Sequence, residues 1–131
     1  VGVLLEIARV LNGQAPRPIT ILLTDCEDSG TPTWYIGAER QDTWCLGAQY
    51  WAARKETPYK YGILLDMVGD PIATFYREYI SEQYAKQYVE LIWKTAEQLG
   101  YASHFLNRPG YPITDDHYYI NTLASIDFLN F

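Results

Sequence analysis

Apolar positions repeat at helical spacing at the start of the chain, run unbroken in two short stretches, and return to helical spacing in the second half. Val1, Leu4, Leu5, Ala8, Val10 and Leu11 share one face and predict an amphipathic helix over 1–11, already under way at the first residue with no capping residue before it. Beyond the turn-rich connection from Asn12-Gly13 to Pro18, Ile19 to Thr24 is a continuous apolar run, the pattern of a strand buried on both faces. A Gly, Pro and Thr loop from Ser29 to Asp42 leads to a helix at about Thr43 to Arg54, and Tyr61 to Val68 predicts a second apolar strand, interrupted only by Asp66. A hairpin-like segment precedes the clearest helix, Ser81 to Leu99. Ser81 is its candidate cap, Tyr84, Tyr88, Leu91, Ile92, Thr95 and Leu99 line one face, and Gly100 closes it. The loop Arg108 to Pro112 then leads to a short helix opening at Asp115, and Ile126 to Phe131 reads as a buried strand.

Strands alternating with helices imply a mostly parallel sheet in a single α/β domain. A helix already formed at one end and an uncovered strand at the other predict an internal segment of a longer protein, so that 1–131 is one partial domain, incomplete at both ends. At 131 residues and 48% hydrophobic, the chain is long enough to bury a core. A net charge of -6, with ten Lys and Arg and no basic run, excludes a phosphate-tracking surface and with it a nucleic-acid partner. No apolar stretch approaches the roughly 20 residues that cross a bilayer, and the first residues carry no signal-peptide pattern. Cys26 and Cys45 are two thiols whose pairing the sequence leaves open.

The chemistry concentrates at carboxylates. Ile19 to Thr24 ends abruptly in Asp25-Cys26-Glu27-Asp28-Ser29-Gly30, and strand ends in open α/β sheets are where sites collect. Adjacent acids are costly to ionise together unless a cation or a shared proton relieves them. Asp66 interrupts an apolar strand, where a charge needs a partner or a place at the strand end. Asp115-Asp116-His117 is a second acid pair. If the loops converge, Glu27, Asp28, Asp66, Asp115 and Asp116 form one acidic pocket suited to proton transfer and to a divalent cation. Plainer readings stand beside each residue. Asp25 and Asp28 serve an ordinary turn, Asp66 accepts backbone amides, Asp115 or Asp116 caps a helix, His117 orients or packs, and His104 is a loop residue. Trp34, Tyr35, Trp44 and Trp51 are candidate pocket walls, with core packing as the alternative.

The segments VGVLLEIARVL at Val1 to Leu11, DCEDSG at Asp25 to Gly30, TWCLGAQYWA at Thr43 to Ala52, GILLDMVG at Gly62 to Gly69 and ITDDHYYIN at Ile113 to Asn121 together resemble the bacterial glutaminyl cyclases (glutaminyl-peptide cyclotransferases). That group is a branch of the zinc aminopeptidase superfamily, and the resemblance follows nearly the whole chain in order. It implies a three-layer α/β/α sandwich with a mostly parallel mixed sheet, one catalytic zinc, and a peptide with an amino-terminal glutamine as substrate. Position by position, Glu27 resembles the family's general acid/base, Asp28 its zinc-ligating carboxylate, and Asp66 and Asp115 the aspartates that share protons with that glutamate. Asp116 and His117 are supporting candidates, and Trp34 or Tyr35 would pack on the substrate side chain. A periplasmic or cell-envelope location is likewise implied.

The family's other zinc ligands, an aspartate and a histidine, would lie before Val1 and after Phe131, and His104 and His117 do not match the histidine. The short chain alone is therefore expected to bind zinc weakly and to be inactive. A two-zinc aminopeptidase of the same superfamily, with Asp66 as a metal ligand, and a non-catalytic scaffold of this fold remain the alternatives.

Overall fold

The computed structural model describes residues 1–32 and 34–131. Helix α1 (Gly2–Leu11) stands where periodicity predicts it and ends at Asn12 in the left-handed conformation. It buries none of its residues, and only Leu4 and Leu11 are half-buried. The predicted helix at 43–54 is divided. Gln41–Thr43 form a short 3-10 turn, Cys45 takes a positive φ of 52°, and α2 runs over Leu46–Arg54.

The run Ile19 to Thr24 differs from its prediction. It forms no strand and makes no backbone hydrogen bond among the described residues. Its burial alternates, with Ile19, Ile21 and Leu23 exposed and Leu22 and Thr24 half-buried, so that one face is turned out instead of both being covered. Among the described residues no strand pairs with it. Thr20 to Thr24 and residues 61–65 line one cavity of about 210 Å³ and exchange no backbone hydrogen bonds. The second apolar stretch contracts to strand β1 (Gly62–Leu64), which leaves Asp66 in the loop beyond it.

The segment expected to be hairpin-like is a parallel crossover. Strand β2 (Phe75–Arg77) pairs with β3 (Phe105–Pro109), with Phe75 opposite Phe105 and Arg77 opposite Pro109. Parallel neighbours need a long connection, made here by α3 (Tyr79–Tyr84) and α4 (Lys86–Gln98). The predicted single helix from Ser81 thus begins at Tyr79 and breaks at Ala85. Its cap is Glu78, not Ser81, which lies buried inside α3. Strand β3 takes in Arg108 and Pro109, the start of the expected loop. Helix α5 (Asp116–Ala124) and strand β4 (Phe128–Asn130) follow, and β4 pairs in parallel with β1. In that ladder Gly62 faces Phe128 so closely that a Cβ on it would lie 1.9 Å from the ring.

Two apolar clusters hold these pieces together. In one, the small residues Cys45, Ala48 and Ala52 let α2 approach Tyr119, Ile120 and Ala124 of α5, with Ile126 beneath. In the other, Ala85, Val89 and Trp93 pack on Leu129 inside a ring of Phe75, Phe105 and Phe131. The Trp93 indole N–H donates to the Leu106 carbonyl at 2.9 Å, so its polar edge is satisfied. Among the described residues no helix is long and apolar enough to cross a membrane, and both cysteines are free thiols.

Candidate functional site

The acidic turn is built by the start of α2. The first amides of a helix have no acceptor within it and must find one outside. Here Cys45, Leu46 and Gly47 donate to the carbonyls of Glu27, Cys26 and Asp25 at 2.9, 3.1 and 3.0 Å. Three consecutive bonds fix Asp25-Cys26-Glu27 against the helix end. They also hold Cys26 and Cys45 at left-handed φ values of 53° and 52°, a conformation that costs non-glycine residues on the order of 1–3 kcal/mol. Gly47 is required by the close approach, because a Cβ there would lie 2.6 Å from the Asp25 carbonyl oxygen.

The carboxylates that the sequence grouped are brought together around Glu27. Burial raises its carboxyl to about 7, and the charges of Asp115, Asp28, Asp66 and Asp116 add to the shift. Glu27 is half-buried, Asp28 and Asp66 are exposed, and Asp115 and Asp116 are buried. Asp66 follows β1 directly before Met67, another left-handed residue at φ 51°. Asp115 is the N-cap of α5, its Oδ1 accepting the Asp116 amide at 2.5 Å. Burial lifts the Asp115 carboxyl above its ordinary value, and the neighbouring Asp116 and Asp66 charges push the same way against that hydrogen bond. Asp116 turns one carboxylate oxygen to the Thr24 hydroxyl at 2.5 Å, while its other oxygen is buried without a partner among the described residues.

Cys45, Thr24 and Glu78 belong to this neighbourhood and were not singled out from the sequence. Glu27, Cys45 and Asp115 each place a ligand-type atom within 4.8 Å of the others. The Cys45 thiol is the most buried of the three, at 2% exposed. Burial, then the adjacent Asp116 charge, pushes its pKa far above the ordinary value, so it stays protonated among the acids. His117 is fully buried and its Nε2 lies 3.2 Å from Oε2 of Glu78. His104 sets its Nδ1 2.9 Å from the Ala73 carbonyl. Neither imidazole joins the carboxylate group. A zinc site wants three protein ligands and an open position. Among the described residues the group of ligand-type atoms is that of Glu27, Cys45 and Asp115, with neither imidazole in it. Trp34 and Tyr35 stand exposed on the loop after the turn, Trp44 bonds Glu39 through its indole N–H at 3.0 Å, and Trp51 lines the 210 Å³ cavity. The sequence signal for Glu78 was an acid at a helix start. Cys45 and Thr24 carry none, since only the fold brings them to the acids.

The sequence model of peptidase family M28 matches residues 1–131. Among solved structures, the glutaminyl cyclase of Bacteroides thetaiotaomicron bound to N-acetylhistamine is 43% identical, with a TM-score of 0.90 over 98% of this chain and 46% of that one. The Tannerella forsythia glutaminyl cyclase is 46% identical, with a TM-score of 0.86 over 98% and 45%. A Zn-dependent exopeptidase from Parabacteroides distasonis is 44% identical, with a TM-score of 0.88 over 98% and 45%. No match was found among curated proteins. The chain thus spans about half the length of the solved structures it resembles.

Proposed function

Because the chain belongs to peptidase family M28 and has its aminopeptidase-like α/β fold, we propose that it carries the acid/base part of a glutaminyl cyclase site. The reaction would convert an amino-terminal glutamine to pyroglutamate with release of ammonia, an aminoacyl transfer within the substrate. The observation that carries this reading is the Glu27 carboxyl, raised to about 7 by burial and by the charges of Asp115, Asp28, Asp66 and Asp116, where a proton can be taken up and given back near neutral pH. In that reaction the α-amine nitrogen bonds to the side-chain amide carbon, closing the five-membered ring, and the bond from that carbon to the amide nitrogen breaks. Glu27 accepts the proton that the attacking amine loses and delivers it to the departing nitrogen. No covalent enzyme intermediate is needed. Asp66 and Asp115 keep Glu27 available in both protonation states, and Trp34 and Tyr35 lie on the loop next to the turn, where a substrate side chain can rest. A zinc ion held in part by Asp28, with its remaining ligands outside this chain, would polarise the amide oxygen.

The test uses the whole protein, assayed for zinc and for ammonia released from a glutamine-initiated dipeptide. Glu27→Gln should lower turnover by on the order of a hundredfold or more with zinc retained. Asp28→Asn should lose zinc, and full zinc occupancy in that variant would remove Asp28 from the ligand set. The exopeptidase relative at 44% identity favours a second reading, in which Asp66 ligates a second metal and the same dipeptide is hydrolysed. Free glutamine in place of ammonia, with two zinc ions per chain, would select it.

A further inference from the structure

We propose that Glu78, remote in sequence from every acid of the site, is the positioning residue of the Asp115 turn, holding it through Ile113 and His117. Glu78 is 5% exposed, and its carboxylate accepts five hydrogen bonds. Three come from the start of α3: the Ile80 amide at 2.8 Å on Oε1, and the Ser81 amide at 2.6 Å and hydroxyl at 2.7 Å on Oε2. These satisfy a helix end and would be the whole of a capping role. The other two leave that helix. Oε1 accepts the Ile113 amide at 2.9 Å, and Oε2 faces Nε2 of His117 at 3.2 Å.

Ile113 and His117 bracket Asp115, two residues before it and two after. One carboxylate therefore grips both sides of the turn without touching the acid it carries. Both of its oxygens meet backbone N–H groups, which cannot rotate away. An amide in its place would set an NH₂ against at least one of them, so only the ionised acid accepts every bond. Burial alone would raise the Glu78 carboxyl, but the bonds from His117, Ile80 and Ser81 outweigh it and hold it at about 2, so it remains an anion throughout the working range. The geometry thus has Glu78 act on Asp115 through packing and hydrogen bonds, not as a proton donor.

The Asp116 amide reports the consequence directly, because it donates to Oδ1 of Asp115 at 2.5 Å. In ¹⁵N-labelled protein, Glu78→Gln should shift the Ile80 and Ser81 amide resonances whatever its role. Displacement of the Asp116 resonance as well is expected only if Glu78 sets the Asp115 turn. An unmoved Asp116 amide would overturn the proposal and leave a helix cap. If Glu78→Gln does not fold, Ile113→Pro removes the amide donated to Oε1 with the α3 bonds intact, and it too should move the Asp116 amide; a native Asp116 resonance in that variant overturns the proposal equally.

This inference rests on the cyclase reading only for its kinetic arm. There, Glu78→Gln should lower kcat by on the order of a hundredfold with KM and zinc content unchanged, as a misplaced catalytic group does. Val89→Ala, a core truncation in α4, should lower the melting temperature and leave kcat within about twofold. A Glu78 variant whose kcat stays at the wild-type value would overturn the proposal. Wild-type protein with no ammonia release would instead overturn the cyclase reading, while the Asp116 resonance still decides the role of Glu78.

Discussion

Glu27 illustrates how a site residue works against the fold that holds it. Folded, it keeps its proton up to about pH 7, whereas an ordinary glutamate releases it near 4.5. Between those values the folded chain binds more protons than the unfolded one, so this residue's contribution to stability declines as pH rises through the window. In metal-free chain, Glu27→Gln should therefore gain in melting temperature over wild type as pH is taken from 4.5 to 8. An equal gap at both ends would show that Glu27 is already ionised at low pH in the folded state. Residue chemistry was the most legible part of the sequence. The abrupt change from apolar run to adjacent acids, and Asp66 inside a strand pattern, are local contradictions that a purely structural segment has no use for. Glu78 was not legible, because a glutamate at a helix start is ordinary until the fold shows that its carboxylate also faces a loop and a histidine more than thirty residues on.

Among the elements, the junction between the acidic turn and α2 is the most tightly specified. Its three amide-to-carbonyl bonds depend on the backbone of Gly47 coming against Asp25. Gly47→Ala would place a methyl group 2.6 Å from the Asp25 carbonyl oxygen, and neither backbone can yield without the other. Chemical denaturation should show a loss of about 1–3 kcal/mol, the usual scale of overpacking. A neutral substitution would mean that the turn slides freely on the helix. The acids at 115–116 marked the start of α5, and periodicity placed α1 where it is observed, since amphipathic spacing is read within a few residues. It merged α3 with α4 because Ala85 carries no breaker, and it missed β3 because Pro109 closes a strand that looks like a loop. The pairing of β2 with β3 depends on partners about thirty residues apart, which local pattern does not encode.

On the scale of the whole molecule, the alternation of strands and helices was enough to give the α/β class, and the ordered segments were enough to give the family, which the match over residues 1–131 bears out. What the pattern overstated was cover. An unbroken apolar run was read as buried on both faces, yet Ile19, Ile21 and Leu23 are exposed and the run lines a cavity in place of a ladder.

That open run divides the molecule by how long its amides would keep a proton. Between Ile19 and Thr24 no backbone hydrogen bond is made among the described residues, so deuterium should enter there at close to the rate of an unfolded peptide. The Asn130 amide, buried and donating to the Ser81 hydroxyl at 2.9 Å, should resist by orders of magnitude. Slow exchange across 19–24 would mean that the run is covered in solution. Glu27 sits where the fast and slow regions meet, and its place is kept by the helix it leans on, not by the segment that leads to it.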